Sequence, residues 1–212
     1  MMQIQALSTA DMTACSGMQG DVLFVMPCTD MPMAQRAARH MAQRAGAPGQ
    51  VLLVQDLHGW GFIRIVNHVF KATLGHYFGY VAQDAFAGRQ WLALALEALK
   101  RPGKSLFAFN DGKWHGAFAS FGLAERQWAS RNYPGGDFFH PAYARHYADV
   151  ELSLLAMSTG RYIHDPRSVL VEVDWAKDST PVDQQDREQY KARAGAGFDG
   201  RVTSPELLSL VA

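Results

Sequence analysis

Two short, almost unbroken apolar runs, "DVLFVMP" (Asp21 to Pro27) and "QVLLVQD" (Gln50 to Asp56), set the strongest limit on what this chain can fold into. A strand with one wet face alternates apolar and polar residues, whereas one apolar at nearly every position must be covered on both faces, as in a parallel sheet between helical layers. Between the runs lies "MAQRAARHMAQRAG", whose Ala, Met, Gln and Arg favour a helix until Gly46 ends it. Strand, helix and strand make a βαβ unit.

The same alternation continues. After the loop "LHGWG", residues Phe62 to Leu74 are helical in pattern, "HYFGYVAQD" (His76 to Asp84) has strand character and ends on an acid, and "RQWLALALEALK" (Arg89 to Lys100) is a further helix. Such a series predicts an open α/β sheet with its ligand crevice at the carboxyl ends of the strands, where Cys28, Thr29, Asp56 and Asp84 fall. The second half differs. "SLFAFNDGKW" and "GAFASFGLAERQWAS" read as aromatic strands joined by a hairpin turn at Asn110-Asp111-Gly112, which makes the sheet mixed. Residues Arg131 to Val150 read as loop, and "RYIHDPRSVLVEVDW" as one or two strands. The fold expected is a single α/β domain, with a mostly parallel but mixed central sheet flanked by helices. It spans 21–175, with one half over about 21–104 and another over about 105–175. An extension covers 1–20, and a polar tail or lid with a short helix covers 176–212.

Composition removes several function classes. The 212 residues suffice for one substantial core, and 20 basic against 20 acidic side chains leave no net charge to grip a polyanion, which argues against nucleic acid. The first twenty residues lack a basic start and an apolar segment, and no run reaches membrane-spanning length, so a cytoplasmic chain without a transmembrane segment is expected. Cys15 and Cys28 are too few for a disulfide framework or a cysteine zinc site.

Motif matching is mostly negative. "ALKRPGKS" (Ala98 to Ser105) loosely fits a phosphate loop, but it leaves a helix and enters a strand, the reverse of what converging backbone N–H groups require. No G-x-S-x-G elbow, H-E-x-x-H pair or G-x-G-x-x-G after a strand is present, and the histidines are dispersed. Phe118 and Phe121 read as core, whereas Trp114 and His115 follow the Asn110 turn and suit a platform for a sugar ring or another flat ligand. In "YADVELSLLA" (Tyr147 to Ala156), Asp149 stands at the start of an apolar helix. There a carboxylate either satisfies free N–H groups at the positive end of the dipole or serves as a rigidly held general base.

Taken together, "GHYFGYVAQDAF" (Gly75 to Phe86) and "YADVELSLLAMSTGRY" (Tyr147 to Tyr162) resemble the family 2 type of GT-A fold, nucleotide-sugar-dependent glycosyltransferases. The family's asparagine-bearing helix, Gly-x-Tyr strand and Asp-x-Asp cluster are matched by Asn67, Gly75, Tyr77 and Asp84, with Ala82 in place of the first aspartate. Its Glu-Asp-x-Asp-Leu is matched by Ala148-Asp149-Val150-Glu151-Leu152, followed by Gly160, and "GGDFFHPAY" is similar to its acceptor-side loop.

The resemblance implies an inverting transferase that moves a sugar from a nucleoside diphosphate donor, UDP-linked, to a hydroxyl acceptor such as a glycan, in bacterial surface polysaccharide assembly. It implies a nucleotide-binding half over about 21–104 and an acceptor half over about 105–175, that Cys28, Thr29, Asp56, Asn67, Gln83 and Asp84 bind the nucleotide, and that Asp84 holds a divalent cation, Mn²⁺ or Mg²⁺. Trp114, His115 and Asp137 would bind the acceptor, and Asp149 would be the catalytic base. Two other readings stand beside it: a degenerate nucleotide-sugar-binding protein, suggested by Ala82 and Ala148, and a nucleotidyltransferase, against which the missing basic glycine-rich loop counts.

Overall fold

The computed structural model describes residues 2–173 and 183–210. Among them, eight strands form one mixed sheet: β1 (Met2–Ser8), β2 (Val22–Cys28), β3 (Gly49–Gln55), β4 (Tyr77–Tyr80), β5 (Ala85–Ala87), β6 (Leu106–Asn110), β7 (Gly122–Glu125) and β8 (Tyr162–Glu172), in the order β1-β3-β2-β4-β7-β6-β8-β5. β1, β3, β2 and β4 are parallel neighbours, β7 runs antiparallel to both β4 and β6, and β8 returns parallel to β6.

The double apolarity of β2 has the expected cause. Leu23 and Val25 face a layer containing α2 (Phe62–Ala72) and α5 (Ala148–Ser158), while Val22, Phe24, Met26 and Cys28 face α1 (Met31–Arg44) and α3 (Trp91–Leu99); the short α4 (Arg126–Ala129) follows β7. Phe24 is fully buried edge-on against Trp91 at 5.0 Å, so trimming it to alanine would cost about 3–5 kcal/mol. Helix boundaries follow local chemistry. Asp30 caps α1 by accepting from the Met33 N–H at 2.9 Å. At the far end of α2, Arg126 donates to the Phe70 and Thr73 carbonyls at 2.9 and 3.1 Å and neutralises the negative pole. Gly75 has φ 151°, and a Cβ there would sit 2.0 Å from the Gly20 carbonyl oxygen, which explains the glycine before β4.

Several expected boundaries move. The strand over His76 to Asp84 stops at Tyr80, and Asp84 lies in the corner leading into β5, because β5 leaves to pair with β8. β6 and β7 do pair antiparallel, but an eleven-residue loop over 111–121 joins them in place of a tight turn. The extension 1–20 contributes an edge strand, β1, in parallel register with β3. The region expected as a polar tail from 176 falls partly outside the described residues, and its described part, 183–210, is packed. α6 (Gln184–Gly195) and the segment after it bury Asp186, Tyr190, Phe198 and Val202 in the core layer that holds α5. A few anchors at the right spacing seat a stretch whose average composition is polar. No described helix is long and apolar enough to cross a membrane.

Candidate functional site

The ends of β2, β3 and β4 meet as the parallel register requires. Cys28 pairs with Gln55, and the Asp56 N–H donates to the Cys28 carbonyl at 2.8 Å. The side-chain oxygen of Gln83 accepts from the backbone N–H groups of both Thr29 and Asp30, at 2.8 and 3.0 Å, tying the β4–β5 corner to the end of β2. Thr29, Asp56, Gln83 and Asp84 therefore share one end of the sheet. Beside them a cavity of about 470 Å³ is lined by Arg36 and His40 of α1 together with Gln83, Asp84 and Phe86. Arg44 and His40 both lie against the exposed Phe86 ring.

These residues do unequal work. Asp56 spends both carboxylate oxygens on its own loop, accepting from Trp60 at 2.9 Å and Gly61 at 2.8 Å. Burial acts to raise its pKa, but the N–H groups of Gly61, Trp60, His58 and Gly59 outweigh it and hold the group below the ordinary carboxylate value. Cys28 does not face the cleft. Strand parity turns its thiol into the core under α1, where burial, assisted by Asp30, pushes its pKa up to about 11. Asn67 is also turned inward: its amide donates to the Phe139 carbonyl at 3.0 Å and accepts from the Phe139 N–H at 2.8 Å. It pins the loop before α5 to α2. Asp84, buried, sits at the cavity wall.

The second cluster surrounds the start of α5. Tyr147, the residue before the helix, adopts φ 68° and ψ −10°, a left-handed conformation that costs a non-glycine residue about 1–2 kcal/mol. Its side chain caps nothing, so the opening of α5 presents Asp149 one position inside. Asp149 keeps some surface exposure, yet the atoms packed round its carboxyl desolvate it. Burial dominates and the charge of Asp111 adds to it, against the N–H groups of Val150 and Asp149 itself, and the pKa is pushed up to about 6. Tyr80, at the end of β4, and Tyr162 feel the same carboxylate.

Asp111, which sequence reasoning treated only as a turn residue, organises the loop over this site. One of its oxygens accepts from the N–H groups of Lys113, Trp114 and His115 at 2.9, 2.7 and 3.1 Å, and the other accepts from the Ser120 hydroxyl. The loop is fixed to α5 where the Ala119 N–H donates to Ser153 Oγ at 2.9 Å. Trp114 is left half exposed, edge-on to Phe118, and His115, with φ 48°, approaches Asn110 Oδ1 at 3.3 Å. Asp137 pairs with Lys71 at 2.6 Å, which fixes the loop to α2.

Among the described residues no three His, Cys, Asp or Glu side chains gather in a metal-binding group. Asp84 is the single carboxylate in the cavity's lining, and a hard cation that keeps water and takes most of its oxygens from phosphate would need no more from the protein.

No protein-family model matches the sequence, and no curated protein does. Solved structures do. The mannosyltransferase PcManGT from Pyrobaculum calidifontis, in complex with GDP-Man and Mn²⁺, aligns with TM-score 0.57 at 14% identity over 88% of this chain and 66% of that one. S. aureus TarS aligns with TM-score 0.57 at 10% identity over 86% of this chain and 43% of its own. This chain thus spans somewhat under two thirds of the first protein and less than half of the second. At such identities the likeness concerns fold: the chain has a GT-A-like glycosyltransferase fold.

Proposed function

We propose that this protein is a glycosyltransferase that binds a nucleoside diphosphate sugar at the ends of β2, β3 and β4 and passes the sugar to a hydroxyl acceptor. The observation that carries the reading is Asp149, a desolvated carboxyl at the mouth of α5 whose pKa of about 6 leaves it ionised but basic near neutrality. As the acceptor oxygen attacks the anomeric carbon, Asp149 takes its proton. The bond from that carbon to the diphosphate oxygen breaks, and the nucleoside diphosphate leaves with the electron pair. A single displacement of this kind inverts the anomeric centre.

Asp84 would hold a divalent cation together with the donor's phosphates, and the chemistry it supplies is neutralisation of charge on the leaving group. Thr29, at the strand end, and Gln83, which orders the loop after β2, would shape the nucleotide subsite, with Asp56 keeping the loop over 57–61 in place. Trp114 offers an apolar face to an acceptor sugar, with His115 beside it. The Mn²⁺ and GDP-Man of the Pyrobaculum calidifontis complex make GDP-mannose with Mn²⁺ the first donor to try, beside UDP-linked sugars.

The test is calorimetric titration with GDP-mannose, UDP-glucose and UDP-N-acetylglucosamine, with and without Mn²⁺, followed by mass spectrometry of donor turnover with glycan acceptors and water. Cation-dependent binding and release of the nucleoside diphosphate are expected. Absence of binding to every donor in either condition removes the reading. Tight binding without turnover on any acceptor favours the degenerate binder, the reading that Ala82 and Ala148 support.

A further inference from the structure

The polar C-terminal segment makes an unusual set of contacts with the approach to α5. The Asp186 carboxylate, 1% exposed, accepts from three successive backbone N–H groups, those of Ala144 at 2.8 Å and of Arg145 and His146 at 2.7 Å each. Four residues on, the Tyr190 ring stacks on Tyr147, with centroids 4.7 Å apart and planes 21° from parallel. Three further on, Arg193 grips Glu151 with two hydrogen bonds of 2.7 and 2.8 Å, while the Tyr143 hydroxyl donates to the same carboxylate at 2.8 Å. Positions 186, 190 and 193 lie on one face of α6, the spacing at which helical side chains address a common partner.

We propose that α6 is a positioning clamp: through Asp186, Tyr190 and Arg193 it fixes the backbone of 144–147 and the first turn of α5, and thereby sets the placement of Asp149. The inference rests on the reading of Asp149 as the base and goes beyond it, since none of the three side chains need touch substrate. The contacts bracket the base in sequence: Asp186 and Tyr190 hold the chain before Asp149, and Arg193 holds Glu151 after it. The strained conformation of Tyr147 lies between these anchors, and a left-handed non-glycine residue persists only where its surroundings over-determine it. Without the clamp, residues 144–147 relax, water reaches the carboxyl, and the geometry of proton removal loosens.

The test uses the full chain with the variants Asp186→Asn and Tyr190→Leu, the second keeping apolar volume while removing the stacking face. The first readout needs no acceptor: carbon-13 NMR titration of the Asp149 carboxyl, assigned with Asp149→Asn, and hydrogen exchange at the amides of 144–146. Asp111, Tyr80 and Tyr162 are the titratable groups acting on that carboxyl and are unchanged in both variants. In wild type the carboxyl is expected to titrate at about 6. In each variant its midpoint moves towards the ordinary aspartate value of about 3.9, and exchange at 144–146 accelerates at least about tenfold.

The second readout is turnover with GDP-mannose and Mn²⁺ or with UDP-glucose, where kcat falls about tenfold and donor affinity stays within about twofold. Should Asp186→Asn fail to fold, Tyr190→Leu carries the same measurements. An Asp149 midpoint unchanged in the variants, with wild-type kcat while Asp149→Asn is inactive, overturns the clamp and leaves the base. Full turnover by Asp149→Asn overturns both.

Discussion

The two acidic clusters of the molecule treat their carboxylates in opposite ways. At the ends of β2 and β3, Asp56 is saturated by its own loop and held below the ordinary carboxylate value. At the mouth of α5, Asp149 is desolvated, lies close to the charge of Asp111, and is raised to about 6. A carboxylate surrounded by N–H groups is a good scaffold and a poor base, because protonation would have to break the bonds that hold it. The difference therefore teaches which acid is available for chemistry: the one whose environment penalises its charge.

The largest expected effect sharpens that contrast at its functional end. Asp149→Asn is expected to lower sugar transfer by about 10²–10⁴-fold with donor affinity retained, as measured by turnover and calorimetry on one preparation. Substituting the other cluster should reverse the pattern. Asp84→Asn is expected to weaken donor binding in Mn²⁺ by about tenfold, worth about 1.4 kcal/mol, and to leave cation-free binding as it was. Equal effects with and without the cation would take Asp84 out of the cation's reach.

Stability against pH gives a smaller difference whose sign separates a raised acid from a lowered one. Asp149 has a folded-state pKa of about 6 against 3.8 in a model peptide, so the folded protein binds more protons than the unfolded chain between about pH 4 and 6. Its contribution to stability is accordingly lost as pH rises through that window. Asp149→Asn should melt a few degrees above wild type at pH 7.5 and level with it near pH 4, since 1 kcal/mol is worth about 2–4 °C in a chain of this size. Asp56 is lowered, so its contribution runs the other way, present at neutral pH and lost in acid, and Asp56→Ala should destabilise at pH 7.5 by about 1–2 kcal/mol. The smallest effect is at the surface. Lys71→Met breaks an ion pair with Asp137 whose lysine is half exposed, and thermal melting should move by no more than about 1 kcal/mol.

How far the sequence reached depends on whether a residue's job is local or distant. β2, β3, α1, α2 and α3 were legible because apolar runs, caps and terminating glycines act within a few positions. β5 is three residues long and owes its existence to β8, more than eighty positions away, so no local pattern marks it. The place of Asp149 in the first turn of α5 was legible because helix starts have a signature. Cys28 and Asn67 were expected at a nucleotide, and their side-chain directions are set by strand parity and by the partner loop at Phe139, which no local pattern shows. Asp111 and Asp186 were missed for the same reason. Each looks like an ordinary polar residue, in a turn and in a polar helix, until the N–H groups that converge on it are brought there by the fold.

The return of α6 to α5 also orders events in time. A chain made from its N-terminus has β2, β3, β4, α1 and α2 in hand while its later part is still being synthesised. The anchors at 186, 190 and 193 come out only after every strand of the sheet. The ends of β2, β3 and β4 thus have their parts early, whereas the backbone that carries Asp149 waits for its final fastening. Under the proposed transferase reading, the donor side of the cleft would be built before the base is fixed in place.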